Sequence, residues 1–179
     1  MSLNHAHRRW FAMPALAISL LGSGCDENLA ACAGDAEAAI QIGTGELEFE
    51  AIEDGDTVQL VLGPQGGFHL LGSLRVRGLV AGDPDNLEAP ENPTGQFEVW
   101  LGEADLVISS PFTQGLDPLE DCDEGWEAET VGRFAVLDVD NDDTLDGQTV
   151  TFAVDLQTPD GLLVRDERQV LVEPHPLNF

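Results

Sequence analysis

The chain has 179 residues with seven arginines, no lysine and 34 aspartates and glutamates, which gives a formal net charge of −27 at pH 7. This balance excludes a nucleic-acid-binding protein, whose affinity comes largely from lysine and arginine contacts to phosphates. It also excludes electrostatic docking on anionic lipid heads. The length and an apolar fraction of 42% are sufficient for one folded domain.

The N-terminal segment has the layout of an export signal. Arg8 and Arg9 precede an apolar run over residues 10–21, and three small residues then lead to Cys25. The run is shorter than the roughly 20 residues that a spanning helix needs, and small residues are what signal cleavage requires. The layout resembles a bacterial lipoprotein signal peptide, which implies cleavage before Cys25 and acylation of its thiol. The alternative is an ordinary signal peptide that leaves Cys25 as a free or bridged thiol.

The lipoprotein interpretation divides the chain into three parts. Residues 1–24 are the signal peptide, residues 25–43 are the lipidated N-terminus with a short tether, and residues 44–179 are the folded domain. The acyl chains on Cys25 would hold the protein in a lipid bilayer, since each buried methylene adds roughly 0.8 kcal/mol. We therefore predict an exported, membrane-anchored protein of the cell envelope, on its periplasmic or surface face.

Two further cysteines, Cys32 and Cys122, remain once Cys25 takes the lipid. Oxidising compartments outside the cytosol let cysteine pairs persist as disulfides, so we predict a bridge between these two residues. Two unpaired thiols are the alternative. The sequence has no C-x-x-C motif and therefore gives no indication of a redox centre or a zinc site.

Beyond residue 44, apolar residues recur at every second position, which is typical of half-buried antiparallel strands. In the clearest run, Val150, Phe152, Val154 and Leu156 alternate with polar or small residues. The other alternating runs lie at residues 47–51, 58–62, 74–76, 97–101 and 170–172.

Turn-forming sequences separate these runs, and residues 159–161, a Pro-Asp-Gly sequence, are the strongest hairpin signal. No sustained helical period follows residue 40. About seven to nine short strands with such spacing predict an all-β domain, a single antiparallel β-sandwich of the immunoglobulin-like kind. A barrel is the alternative.

One loop sequence combines proline and glycine in a way that predicts a turn between two strands. Proline fixes φ and glycine admits left-handed backbone. The residues of this signature loop and the start of the next strand are Gly63, Pro64, Gln65, Gly66, Gly67, Phe68 and His69. The sequence is similar to a G-P-Q-G-G-aromatic-His signature of uncharacterised, exported bacterial lipoproteins with an immunoglobulin-like sandwich. The resemblance implies this fold and location, and it implies no activity. His69 is either a ligand-contacting residue at the sandwich end or a residue that packs within the loop.

An acidic segment is the candidate cation site. Carboxylates recur at short intervals in this segment, at Asp138, Asp140, Asp142 and Asp146. Such groups can converge on Ca²⁺, which takes roughly six to eight oxygen ligands. Residues 143 and 149 lack the glycine and the glutamate that an EF-hand loop has at those places. We therefore predict at most a weak calcium site, and the alternative is an acidic turn.

Catalytic motifs are scarce in the chain. None of the three serines that follow the signal lies in a G-x-S-x-G elbow, and the histidines beyond the signal are His69 and His175. We predict a non-catalytic, lipid-anchored cell-envelope protein with a binding or structural role, no cofactor, and an envelope protein or polymer as partner. The alternatives are a weak calcium-binding surface module that uses residues 138–146, and an envelope hydrolase.

Overall fold

The structure, a computed structural model, describes residues 37–120 and 123–178. Its regular elements are strands, apart from two short 3-10 turns at Asp123–Gly125 and Asp142–Thr144. The strands are β1 (Ala39–Thr44), β2 (Glu50–Ala51), β3 (Thr57–Leu62), β4 (Phe68–Arg77), β5 (Thr94–Leu101), β6 (Ala104–Asp105), β7 (Phe112–Thr113), β8 (Asp117–Pro118), β9 (Ala128–Leu137), β10 (Thr149–Gln157) and β11 (Leu163–Pro174). The prediction of an all-β chain is confirmed for these residues.

The strands form one open mixed sheet. They are hydrogen-bonded in the order β2-β1-β4-β3-β11-β10-β5-β6, with β9 on β4, β8 on β9 and β7 on β5. β1 and β3 pair with different halves of β4, and β9 pairs along nearly the whole of it. A strand has two edges, so β9 lies on the edge of β4 opposite to β1 and β3.

The prediction of a purely antiparallel arrangement is wrong at one pair. β3 runs parallel to β11, with Val58 opposite Val172, and its last two residues then turn into the antiparallel hairpin with β4. Parallel neighbours need a long connection, and here most of the domain intervenes between the two strands. Local alternation of apolar residues carries no information about so distant a partner.

The alternation that defines the core is confirmed in β10. Val150, Phe152, Val154 and Leu156 have no exposed surface, whereas Thr149 and Gln157 are exposed. One cluster of buried apolar side chains contains residues from all the long strands. The hydrophobic effect is therefore concentrated in a single core, as expected for a domain of this size.

β4 and β5 face each other across this core. Leu70 and Leu74 of β4 are fully buried, and between them Gly72 lies beneath the ring of Phe97 of β5. A Cβ atom at Gly72 would come within 2.6 Å of that ring. Because side chains alternate along a strand, His69 and Leu71 project from the other face of β4.

The folded part begins earlier than the predicted boundary at residue 44. Ile40 and Ile42 of β1 are buried, so the last residues assigned to the tether form a core strand. Conversely, most of the predicted strand at residues 47–51 is a bend, and Leu47 is 92% exposed. Gly45, with φ of 108°, turns the chain back at this point.

β9 was not predicted from the sequence. Its inward residues include the small side chains of Ala128, Thr130 and Ala135, which give a weak apolar period. A register shift in its pairing with β4 and the left-handed Gly132, with φ of 69°, interrupt the alternation further.

Every arginine among the described residues forms an ion pair with a carboxylate or a cation–π contact with an aromatic ring. Arg165 lies 2.9 Å from Glu98, 3.0 Å from Asp155 and 3.1 Å from Glu167. Burial alone would lower the pKa of Arg165, and its hydrogen bonds to these carboxylates reverse the effect and raise it. The others pair with a carboxylate or lie over an aromatic ring: Arg168 with Asp166, Arg75 with Glu129 and Phe49, Arg77 with Trp126, and Arg133 with Phe112.

Candidate functional site

The outer face of β4 forms the floor of the candidate site together with its neighbours β3 and β9. In the register of the sheet, His69 lies between Val61 of β3 and Val136 of β9, and Leu71 lies opposite Phe134. Cross-strand neighbours on one face of a sheet are in contact distance. The floor is therefore apolar apart from one imidazole.

The signature loop is one wall of the site. It connects β3 to β4 in a tight turn in which the Gly63 amide donates to the Gly67 carbonyl at 2.9 Å and the Gly66 amide donates to the Gly63 carbonyl at 3.0 Å. Gly66 and Gly67 have φ of 80° and 86°, a backbone that only glycine adopts without strain. Pro64 and Gln65 complete the turn, and both border the site.

The bend at residues 45–50 is the other wall, and a buried hydroxyl holds it on the sheet. Ser73 of β4 has no exposed surface. Its Oγ donates to the Gly45 carbonyl at 3.4 Å and accepts a hydrogen bond from the Gly132 amide at 3.1 Å. The same serine thus ties the bend to β4 and satisfies an amide at the irregular point of β9.

Two adjoining cavities lie between these walls. The first has a volume of about 470 Å³ and extends towards Glu46, Glu50 and His175. The second, of about 330 Å³, extends under the signature loop. Pro64, His69 and Phe134 border both cavities. We call the two cavities together the groove.

His69 is the polar group at the centre of the groove. Its side chain makes no hydrogen bond to another described residue, and only 7% of the residue is exposed. Its ring packs on Phe134, with centroids 4.5 Å apart, and its Nδ1 faces Gly63, where a Cβ atom would lie 3.5 Å away. Burial lowers the pKa of His69. Desolvation therefore favours the neutral imidazole, which offers one donor and one acceptor to a ligand.

The rim of the groove is acidic. Glu46 and Glu50 border the first cavity, and both are exposed. Among the described residues, no arginine borders either cavity. The electrostatic field at the groove is consequently negative and favours a positively charged ligand.

The groove offers little for nucleophilic chemistry. Its described lining contains the hydroxyls of Thr44 and Thr57 and contains neither serine nor cysteine. No carboxylate hydrogen-bonds His69 in the described part of the chain, as a group that orients a general base would. The arrangement suits binding, in which a neutral imidazole and an exposed ring contact a ligand.

The acidic segment lies elsewhere and forms a capped turn. Asn141 accepts hydrogen bonds from the backbone and hydroxyl of Thr144, and the carbonyl of Asp142 accepts from the amides of Leu145 and Asp146. Within residues 37–120 and 123–178, no three histidine, cysteine, aspartate or glutamate side chains are placed to hold a metal ion. The weak calcium site at Asp138, Asp140, Asp142 and Asp146 stays a prediction.

The three cysteines fall outside the described residues. Acylation of Cys25 and a bridge between Cys32 and Cys122 are therefore predictions from the sequence alone. The part of the chain that the structure describes contains no helix with the length and hydropathy to cross a membrane.

The sequence indicated one wall of the groove and missed the rest. The signature loop and His69 were singled out, whereas Phe134, Leu71 and Ser73 were not. Phe134 belongs to the strand that the alternation did not reveal. The available signal was an isolated aromatic residue in a run of apolar residues before Asp138.

We compared the chain with protein families, curated proteins and solved structures. No family model matches the chain, and no curated protein or solved structure matches it.

Proposed function

We propose that this protein is a non-catalytic, lipid-anchored component of the cell envelope that binds a partner through the groove at His69 and Phe134. The observation that carries the proposal is the pairing of an exposed ring with a buried, unpartnered imidazole. Phe134 is 60% exposed, although it borders two cavities. Exposed apolar groups that border a concave site with a few polar atoms are typical of binding surfaces.

Binding is favoured over hydrolysis by the composition of the groove. A hydrolase would need an activated nucleophile or a metal beside His69, and the described lining supplies threonine hydroxyls and the exposed carboxylates of Glu46 and Glu50, none of them hydrogen-bonded to His69. The partner class is an envelope protein or polymer, since the export signal resembles that of lipoproteins.

The finer fold assignment is part of the proposal. We infer an immunoglobulin-like arrangement of two layers, in which the β1-β4-β9 part of the sheet packs on the β11-β10-β5 part. The contact of Phe97 with Gly72 supports it, because it brings β5 over β4. The hydrogen bond from the Ile42 amide to Asp166 also joins β1 to β11.

Membrane anchoring and the disulfide are tested together by intact-mass spectrometry of protein purified from its native membrane. We expect the mass of residues 25–179 plus acyl-glyceryl groups, and a gain of two hydrogen atoms on reduction. A Cys25→Ser variant should lose the lipid and the membrane association. An unlipidated wild-type protein would remove the anchor from the proposal.

The binding role is tested by photo-crosslinking in intact cells. A photoreactive amino acid at position 134 should give a discrete adduct with an envelope component. Position 87 is the matched control, because Leu87 is 66% exposed and lies in a loop outside the groove. Adducts of equal yield and pattern at both positions, or none at position 134, would contradict the proposal.

A further inference from the structure

The groove combines an apolar floor with an acidic rim, and we propose that it binds a segment of a partner protein that carries lysine or arginine beside an apolar side chain. This inference rests on the proposed function and specifies the ligand of the same site. It follows from the floor, from the rim and from the distribution of arginine in the molecule.

The floor fits the apolar part of such a segment. Val61, Leu71 and Phe134 present hydrocarbon and aromatic surface along the outer face of the sheet. Between them the neutral imidazole of His69 supplies one hydrogen-bond donor and one acceptor for a peptide group. Lysine and arginine side chains have apolar stems that pack on surfaces of this kind while the charged head stays in water.

The rim fits the charged head. Glu46 and Glu50 border the first cavity, and both residues are exposed, so their carboxylates can meet a cation in water. The exposed ring of Phe134 adds a second favourable contact, since cations are attracted to aromatic faces. The negative field of the chain as a whole would also speed the encounter with a basic partner.

A second copy of this chain does not supply the free lysine or arginine that the acidic rim favours. The chain contains no lysine, and each arginine among the described residues already pairs with a carboxylate or lies over an aromatic ring. Two copies would also bring like charges together, which opposes association. A neutral polymer lacks the cation for which the rim is suited.

The inference is tested with the lipidated protein in detergent and a labelled peptide, acetyl-KFKLKF-amide, by fluorescence anisotropy. The matched acidic peptide, acetyl-EFELEF-amide, is the first control. We expect saturable binding of the basic peptide and none of the acidic one. A Phe134→Ala variant should weaken binding about tenfold, because the ring would be a central contact.

The acidic rim is tested by two charge-matched pairs of substitutions. The double variant Glu46→Gln with Glu50→Gln should bind the basic peptide roughly fivefold more weakly, as expected from the loss of two exposed charge pairs. Glu88→Gln with Glu91→Gln removes the same charge from an exposed loop that does not border the groove, and it should have little effect. Equal losses in the two double variants would show non-specific attraction to an acidic protein and would overturn the inference.

Two other outcomes also overturn it. One is a dimer in sedimentation analysis that Phe134→Ala dissociates, which would make a second copy the occupant. The other is unchanged peptide affinity in a Phe134→Ala protein with normal circular dichroism. If position 134 forms a discrete crosslink in cells while the basic peptide does not bind, the proposed function stands and this inference fails.

Discussion

Phe134 and His69 form a ring pair on the outer face of the sheet, with centroids 4.5 Å apart and planes inclined at 58°. The two residues come from β9 and β4, which are far apart in sequence and adjacent in the sheet. The phenyl ring shields the imidazole from water on one side, while 60% of Phe134 itself stays exposed. Phe134 therefore helps to exclude water from His69. Because most of the Phe134 side chain stays exposed, its own burial contributes little to the stability of the fold.

This relationship predicts that Phe134→Ala raises the pKa of His69 towards its ordinary value of about 6.5. The removal of the ring admits water to the imidazole and weakens the desolvation that lowers its pKa. The measurement is a titration of the His69 ring protons by NMR. A Leu87→Ala variant, which loses an equally exposed apolar side chain elsewhere, should leave the titration unchanged. An identical His69 pKa in all three proteins would contradict the expected role of the ring.

The lowered pKa of His69 also predicts a pH dependence of stability. Because the folded pKa lies below the unfolded one, the unfolded chain binds more protons in the interval between them. The contribution of neutral His69 is complete above the unfolded value and falls as the pH drops through it towards the folded pKa.

Urea unfolding of wild type and His69→Gln measures this contribution. The difference in unfolding free energy, wild type minus variant, should fall as the pH drops from about 7.5 through the unfolded pKa of about 6.5, by no more than roughly 1.4 kcal/mol for each unit between the two pKa values. Because wild type and His69→Gln share all their carboxylates, the effect of carboxylate titration on stability cancels in the difference between the two proteins. A difference that is constant over the interval would refute this linkage.

Gly72 predicts a steric coupling across the core. Gly72→Ala places a Cβ atom within 2.6 Å of the Phe97 ring, and overpacking of this kind costs about 1 to 3 kcal/mol. Phe97→Leu should cost less in the Gly72→Ala background than in wild type, because it removes the opposing ring. A double-mutant cycle by urea unfolding gives the coupling energy. Additive effects would mean that β4 and β5 do not face each other at this point.

Ser73 predicts a loss of stability when its hydroxyl is removed. Ser73→Ala breaks hydrogen bonds to Gly45 and Gly132 and leaves a buried carbonyl and a part-buried amide without this partner, at a cost of about 1 to 3 kcal/mol. Thr113→Val is the matched control, because its hydroxyl pairs with Thr94 at an exposed position and should change stability by less than about 0.5 kcal/mol. Comparable losses in the two variants would show that Ser73 has no special role in holding the bend.

The acidic turn predicts no specific response to calcium. Asn141 already caps the turn, and Leu145 anchors it in the core with no exposed surface, so hydrogen bonding and packing within the chain hold the turn. We expect calcium to raise the melting temperature no more than magnesium does. A calcium-specific rise that Asp140→Asn with Asp142→Asn abolishes would establish the weak calcium site instead, since a ligand that binds only the native state stabilises it.

Some of the candidate site was predictable because its chemistry is local. Pro64 with Gly66 and Gly67 indicates a turn by backbone preference alone, and the structure places that turn between β3 and β4. Phe134 was not predictable in the same way. It opposes Leu71 only through a pairing whose register shifts between Gly72 and Leu74. The contacts of an outward-facing residue depend on which strand lies beside its own, and the local sequence does not specify that neighbour.

The sequence by itself determined the strand class, the inward faces of β3, β5 and β10, the acidity of the surface and the position of the signature turn. These properties follow from side-chain period, backbone preference and charge, which act over a few residues. The tertiary structure alone decided the parallel pairing of β3 with β11, the presence of β9 and the assembly of the groove. Each of these depends on contacts between distant segments, whose free energy is gained only when the chain closes around one core.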